Sequence, residues 1–114
     1  MSLNVKPRAL VVDDNRVQRE ILQPSLTTHG MQVACLPDAT SALSVLRQSA
    51  QRGFPVDVAL LDLRMPGVDG FVLAQAIRLQ PELAGTQLVL LTAFDEAGLG
   101  RRALQLGFST YLTK

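Results

Sequence analysis

The stretch VDVALLDLRMPGVDG, Val56 to Gly70, runs from an apolar segment into a carboxylate, Asp62, and then into a turn at Pro66-Gly67. The Val/Leu content of Val56 to Leu61 suits a strand covered on both faces, as in a parallel sheet flanked by helices. Asp69 can cap a helix over Gly70 to Leu79, which Pro81 ends soon after. Strand, turn and helix in that order make a βα unit.

The same alternation runs along the whole chain. Further apolar runs cover Ala9 to Val12, Gln32 to Leu36, Gln87 to Leu91 and Ser109 to Leu112, and three of the five are continuous rather than alternating. Between them, Asn15 to His29 carries Val17, Ile21, Leu22 and Leu26 at helical spacing, with Gly30 suited to the position after the helix. Pro24 falls inside that pattern, and the expectation is a kink or an early end. Asp38 can cap a helix to about Gln51, with Ala39, Ala42, Leu43 and Leu46 on its inner face. Asp95 and Glu96 favour a fourth helix start, although Gly98 and Gly100 each cost about 1 kcal/mol relative to Ala within a helix, so its first turn should be loose.

Composition bounds the function. The 114 residues, 47% hydrophobic and 18% charged, fit one globular domain. Eleven basic residues against ten acidic ones form no basic cluster interleaved with aromatics, which argues against direct nucleic-acid binding. No charge-free apolar stretch reaches the roughly 18 residues of a membrane span, and Met1 to Arg8 lacks the apolar core of a signal peptide, so the expected compartment is the cytoplasm. Cys35, the only cysteine, reads as a small buried hydrophobe, and His29, the only histidine, as a residue of a helix C-terminus. GLGRRA, Gly98 to Ala103, fits a dinucleotide pattern but does not directly follow its strand, and no Walker-type phosphate loop exists.

Three carboxylates stand at the ends of apolar runs: Asp13 and Asp14 after ALVV, and Asp62. In a parallel βαβ sheet the C-terminal strand ends share one edge, so these acids converge if the first and third strands are neighbours. Two like charges at about 4 Å repel by roughly 4 kcal/mol at an effective dielectric near 20, an objection that a divalent cation removes. All-oxygen ligands at a shallow site suit Mg²⁺. The alternative for the Asp13-Asp14 pair is capping of the first helix. Thr92 and Lys114 end the fourth and fifth runs and would bring a hydroxyl and an ammonium to the same edge.

The segments LVVDDN, LLDLRMPGVDG, LLTAF and YLTK, in that order and spacing, resemble the receiver domain of two-component response regulators, of the chemotaxis-regulator type. The resemblance implies a flavodoxin-like, doubly wound α/β fold with five parallel strands in the order 2-1-3-4-5, spanning residues 1–114 as a single receiver domain. It also implies a phosphorelay function: Asp62 accepts a phosphoryl group from a sensor histidine kinase or histidine phosphotransfer protein. Mg²⁺ would be held by Asp13, Asp14, Asp62 and the Arg64 backbone carbonyl. Thr92 and the Ala93 amide would meet the phosphoryl oxygens, and Lys114 would pair opposite the metal. Tyr111 would be the aromatic that moves with Thr92, passing the signal to a downstream output domain or protein. Arg64 and Phe94 would control water access to the acyl phosphate.

Two other readings compete with this one. A Mg²⁺-dependent aspartyl-phosphate hydrolase would need an acid two residues after the nucleophile, where this chain has Arg64. A receiver-like interaction module would work without phosphorylation. Receivers also carry a fifth helix after the lysine; the chain stops at Lys114, so apolar surface on the first helix is expected to be uncovered.

Overall fold

Five parallel strands, β1 (Arg8–Val12), β2 (Gln32–Leu36), β3 (Val58–Asp62), β4 (Gln87–Thr92) and β5 (Phe108–Thr113), form one sheet in the order β2-β1-β3-β4-β5. This computed structural model describes residues 6–65, 67–93 and 97–113. The strand order is the one implied by the receiver resemblance. The three continuous apolar runs are its three inner strands, and β2 and β5, whose patterns mix polar and apolar residues, are the edges.

The helices among the described residues are α1 (Arg16–Thr28), α2 (Ala39–Gln51), α3 (Gly70–Arg78) and α4 (Leu99–Gln105), with a single 3-10 turn at Pro81–Leu83. Alternation along the strands divides the core in two. Leu10, Val12, Ala59, Leu61, Leu88 and Leu90 pack with Leu46 of α2, Ile77 of α3 and Ala103 of α4. Ala9, Val11, Leu60 and Leu91 face the other way, where Leu22 and Leu26 of α1 meet them.

Helix starts follow side-chain chemistry. Asp38 Oδ1 accepts from the Ser41 amide (2.7 Å) and Asp69 Oδ1 from the Val72 amide (2.9 Å), as the sequence predicts. At the first helix the cap is Asn15, whose Oδ1 accepts from the Gln18 amide at 3.2 Å, so neither Asp13 nor Asp14 is used for capping. His29 closes α1, with Nδ1 2.8 Å from the Ser25 carbonyl that it can serve as donor.

Several sequence expectations need correction. Pro24 neither ends α1 nor shortens it, because helix continues to Thr28. Pro24 and Glu20, whose carbonyl it leaves without a helical donor, are both exposed, so water can serve that carbonyl, while Leu22 and Leu26 hold the helix on the sheet. Val17 and Ile21, 62% and 57% exposed, form uncovered apolar surface of the kind expected on the first helix, and α1 buries no residue fully. The third strand starts at Val58 rather than Val56, whose carbonyl instead accepts the Thr86 hydroxyl at 2.8 Å. Helix α4 begins at Leu99 after Gly98, which caps it at φ 82°, while Asp95 and Glu96 lie outside the described residues.

Candidate functional site

Register brings the acids together. Val12 of β1 lies beside Leu61 of β3, so the next residues, Asp13 and Asp62, emerge side by side at the C-terminal edge, at the point where the strand order changes direction. One carboxylate oxygen from each of Asp13, Asp14 and Asp62 lies within 4.8 Å of the other two. Asp13 is fully buried and Asp62 is 4% exposed, whereas Asp14 stands in solvent.

Asp13 is held from several sides. Its amide donates to the Leu36 carbonyl (3.0 Å), extending the β1–β2 pairing by one residue. Its Oδ1 accepts from the Asn15 amide at 2.9 Å, and its carbonyl accepts from Arg19 Nη1 at 2.7 Å. The Arg19 guanidinium therefore fixes the turn that carries both N-terminal acids and brings a positive charge to their backbone.

Asp62 closes β3 beside Leu91 of β4, and the Leu63 amide continues the ladder to the Leu91 carbonyl at 2.8 Å. The chain then returns into α3, where the Gly70 amide donates to the Leu63 carbonyl at 2.8 Å. A Cβ on Gly70 would lie 2.5 Å from the Asp62 carbonyl oxygen, so only glycine lets the helix start this close to the strand end.

A cleft of about 430 Å³ opens over this edge, lined by Asp14, Asn15, Asp62, Leu63, Arg64, Thr92 and Ala93. Thr92, the last residue of β4, is 3% exposed, and Ala93 follows it at the surface. Tyr111 is half-buried on β5, beside Leu90 in register. The structure thus gathers Asp13, Asp14, Asp62, Arg64, Thr92 and Ala93 at one edge, with Tyr111 on the adjoining strand. Lys114 and Phe94 lie outside the described residues, as does Pro66 of the turn.

Asn15 and Arg19 were not singled out by sequence reasoning. Their spacing of four residues puts them on one side of the first helical turn, which is the signal that could have found Arg19. Cys35, half-buried on β2, has its thiol pKa pushed up by burial, with the Arg19 charge opposing the shift.

Three carboxylates of which two are buried and one faces water form a hard, all-oxygen donor set open on one side. Such a set can hold a divalent cation that keeps part of its water shell. Among the described residues, no helix is long and apolar enough to cross a membrane.

The sequence matches the family model described as the response regulator receiver domain over residues 9–114. It is 37% identical over 108 residues to the transcriptional regulatory protein AruR of Pseudomonas aeruginosa, covering 95% of this chain and 43% of AruR. It is 30% identical over 115 residues to the probable chemotaxis protein CheY of Rhizobium etli, covering 100% of this chain and 85% of that protein. Among solved structures, the receiver domain of the Francisella response regulator 1452 is similar, with a TM-score of 0.82 at 26% identity over 95% of this chain and 84% of that one. The chain spans less than half the length of AruR and most of the chemotaxis protein. With the family match running from β1 to the end of the chain, over a parallel sheet whose strand ends gather the acids, this chain belongs to the response regulator receiver domain family of two-component systems.

Proposed function

We propose that the chain is the phosphoacceptor of a two-component phosphorelay, with Asp62 as the residue that is modified. Receiver domains are signalling switches rather than classical enzymes. The observation that carries the reading is the nearly buried Asp62 carboxylate, within 4.8 Å of those of Asp13 and Asp14 and on a cleft shared with Thr92 and Ala93.

In the proposed reaction a carboxylate oxygen of Asp62 attacks the phosphorus of a phosphohistidine on a sensor kinase or phosphotransfer protein. A bond from phosphorus to the carboxylate oxygen forms, the bond from phosphorus to the imidazole nitrogen breaks, and its electron pair returns to the ring. Bound Mg²⁺, held by Asp13, Asp14, Asp62 and the Arg64 carbonyl, supplies charge neutralisation for the transferred group. Asp13 keeps its carboxylate at the site through its bonds with Asn15 and Arg19. Thr92 donates its hydroxyl and Ala93 its amide to phosphoryl oxygens, and Lys114 forms the ion pair with the phosphoryl group opposite the metal. The added phosphoryl group brings about two negative charges and three acceptor oxygens to one point. Thr92 is drawn toward it, and Tyr111 and α4 follow, presenting the changed surface to an output domain or protein.

A hydrolase of the aspartyl-phosphate type is disfavoured by position 64, where an exposed arginine lines the cleft in place of a general acid. The test is incubation with Mg²⁺ and a small acyl phosphate, followed by intact-mass measurement. A phosphoryl adduct is expected on the wild type, lost on chelation of the metal and absent in Asp62→Asn. A folded wild type that takes up no phosphoryl group would instead mean an interaction module. Continuous turnover of an added phosphate ester would mean a hydrolase.

A further inference from the structure

Helix α4 is short, begins after a left-handed glycine, and carries a second glycine, Gly100, within its first turn. The Gly100 position faces the aromatic ring of β5. A Cβ there would lie 3.0 Å from Cε1 of Tyr111, 3.7 Å from Cδ1 and 3.9 Å from Cζ. The nearest of these is closer than ordinary van der Waals contact, so a side chain at position 100 and the present ring position compete for the same space.

The outcome of that competition depends on which partner gives way, and in the unmodified protein α4 is held by its packing. Leu99 and Ala103, on either side of Gly100, are 6% and 1% exposed. The Arg102 guanidinium stacks over the Phe71 ring at 4.5 Å, and Phe71 is itself wedged edge-on against Phe108 with centroids 6.1 Å apart. Tyr111 also packs against the core, but it is half-buried on an edge strand and turns about two side-chain torsions. The ring can yield by rotating a side chain, whereas α4 can yield only by shifting its backbone.

We infer that Gly100 is a positioning residue: the space left by its missing Cβ is the socket that admits the Tyr111 ring to α4, and a larger side chain there turns the ring out to solvent. The ring sits on β5 two residues before Thr113, which pairs in register with Thr92. A filled socket therefore holds the ring in one position whatever happens at the Thr92 end of the sheet. That last step rests on the reading of Asp62 as the phosphoacceptor, whereas the socket itself does not.

Tyr111 is the only tyrosine and the chain has no tryptophan, so intrinsic fluorescence reports this one ring. Iodide quenching is measured on the wild type, Gly100→Ala and Gly100→Leu, each before and after addition of Mg²⁺ and a small acyl phosphate. Without donor, the quenching constant is expected to rise slightly for Gly100→Ala and to roughly double for Gly100→Leu as the half-buried ring becomes exposed. With donor, the wild type should change its quenching, while Gly100→Leu still takes up the phosphoryl group by mass but shows little further change.

Equal quenching in all three folded proteins overturns the socket. If Gly100→Leu does not fold, Gly100→Ala decides, because its methyl already crowds the ring; wild-type quenching in that variant also overturns the socket. A graded rise without donor, together with a wild type that forms no adduct, upholds the socket and removes the phosphoacceptor reading. A Gly100→Leu protein whose donor-induced change matches the wild type overturns the coupling.

Discussion

At Gly70 the backbone of α3 rests on the carbonyl of Asp62, with space for a hydrogen and none for a methyl group. Both partners are main chain, so a Gly70→Ala change has no flexible side chain to displace and must part the helix from the strand end. A loss of about 1–3 kcal/mol is expected, the range for overpacking a tight site, read as a lower urea midpoint at unchanged slope. Because the displaced atoms belong to Asp62, phosphoryl uptake should slow as well; an unchanged midpoint and uptake rate would refute the account. At this scale much was legible. A carboxylate that ends an apolar run betrays itself, since a strand interior has no use for a charge, and that singled out Asp13, Asp14 and Asp62. The first helix cap stayed open in the sequence, because Asp14 and Asn15 are chemically equivalent as caps and only backbone direction decides which one reaches the Gln18 amide. Arg19 was illegible for a similar reason: its contact is to a backbone carbonyl, which leaves no trace in residue type.

Among the elements, α1 shows best how tertiary packing overrides propensity. An interior proline costs a helix about 3 kcal/mol, yet α1 runs through Pro24 because Leu22 and Leu26 are held on the sheet. Replacing it should therefore stabilise the protein. Pro24→Ala restores a donor for the Glu20 carbonyl, and after subtracting the 0.4–1 kcal/mol by which proline restricts the unfolded chain, about 2 kcal/mol of gain is expected. Thermal unfolding followed by circular dichroism reads it, and an unaltered or lowered midpoint would mean that the proline ring is needed for packing. The strands were the easiest elements to read, since central strands buried on both faces are continuously apolar and edge strands are not. Helix α4 was the hardest: its two glycines weaken the helical signal, and its purchase on the fold comes from Arg102 over Phe71 and from Gly100 against Tyr111, contacts between distant segments.

Across the whole molecule, the clustering of three carboxylates links stability to metal. Mutual repulsion at the C-terminal edge opposes folding, and a cation bound only by the folded state would offset it. With Mg²⁺ at about 100 times its dissociation constant, stabilisation of about 2.7 kcal/mol is expected, seen as a rise in melting temperature. Asp14→Asn should fold at least as well without metal and lose most of that rise, because Asp14 is the exposed acid and its replacement leaves the core untouched. A rise that persists in the variant would place the cation elsewhere. The two faces of the sheet are also unequal among the described residues: α2, α3 and α4 cover one, and α1 alone lies on the other with Val17 and Ile21 in solvent. The sequence by itself determined the βα alternation, which strands lie inside and two of the three helix caps made by side chains, because each is encoded in composition and periodicity within a few residues; the family was legible in four ordered motifs that resemble a receiver. Only the tertiary structure decided how closely the expected cluster of Asp13, Asp14 and Asp62 draws together and that the Tyr111 ring fits against Gly100. Those approaches depend on strand order and register, which join segments far apart along the chain.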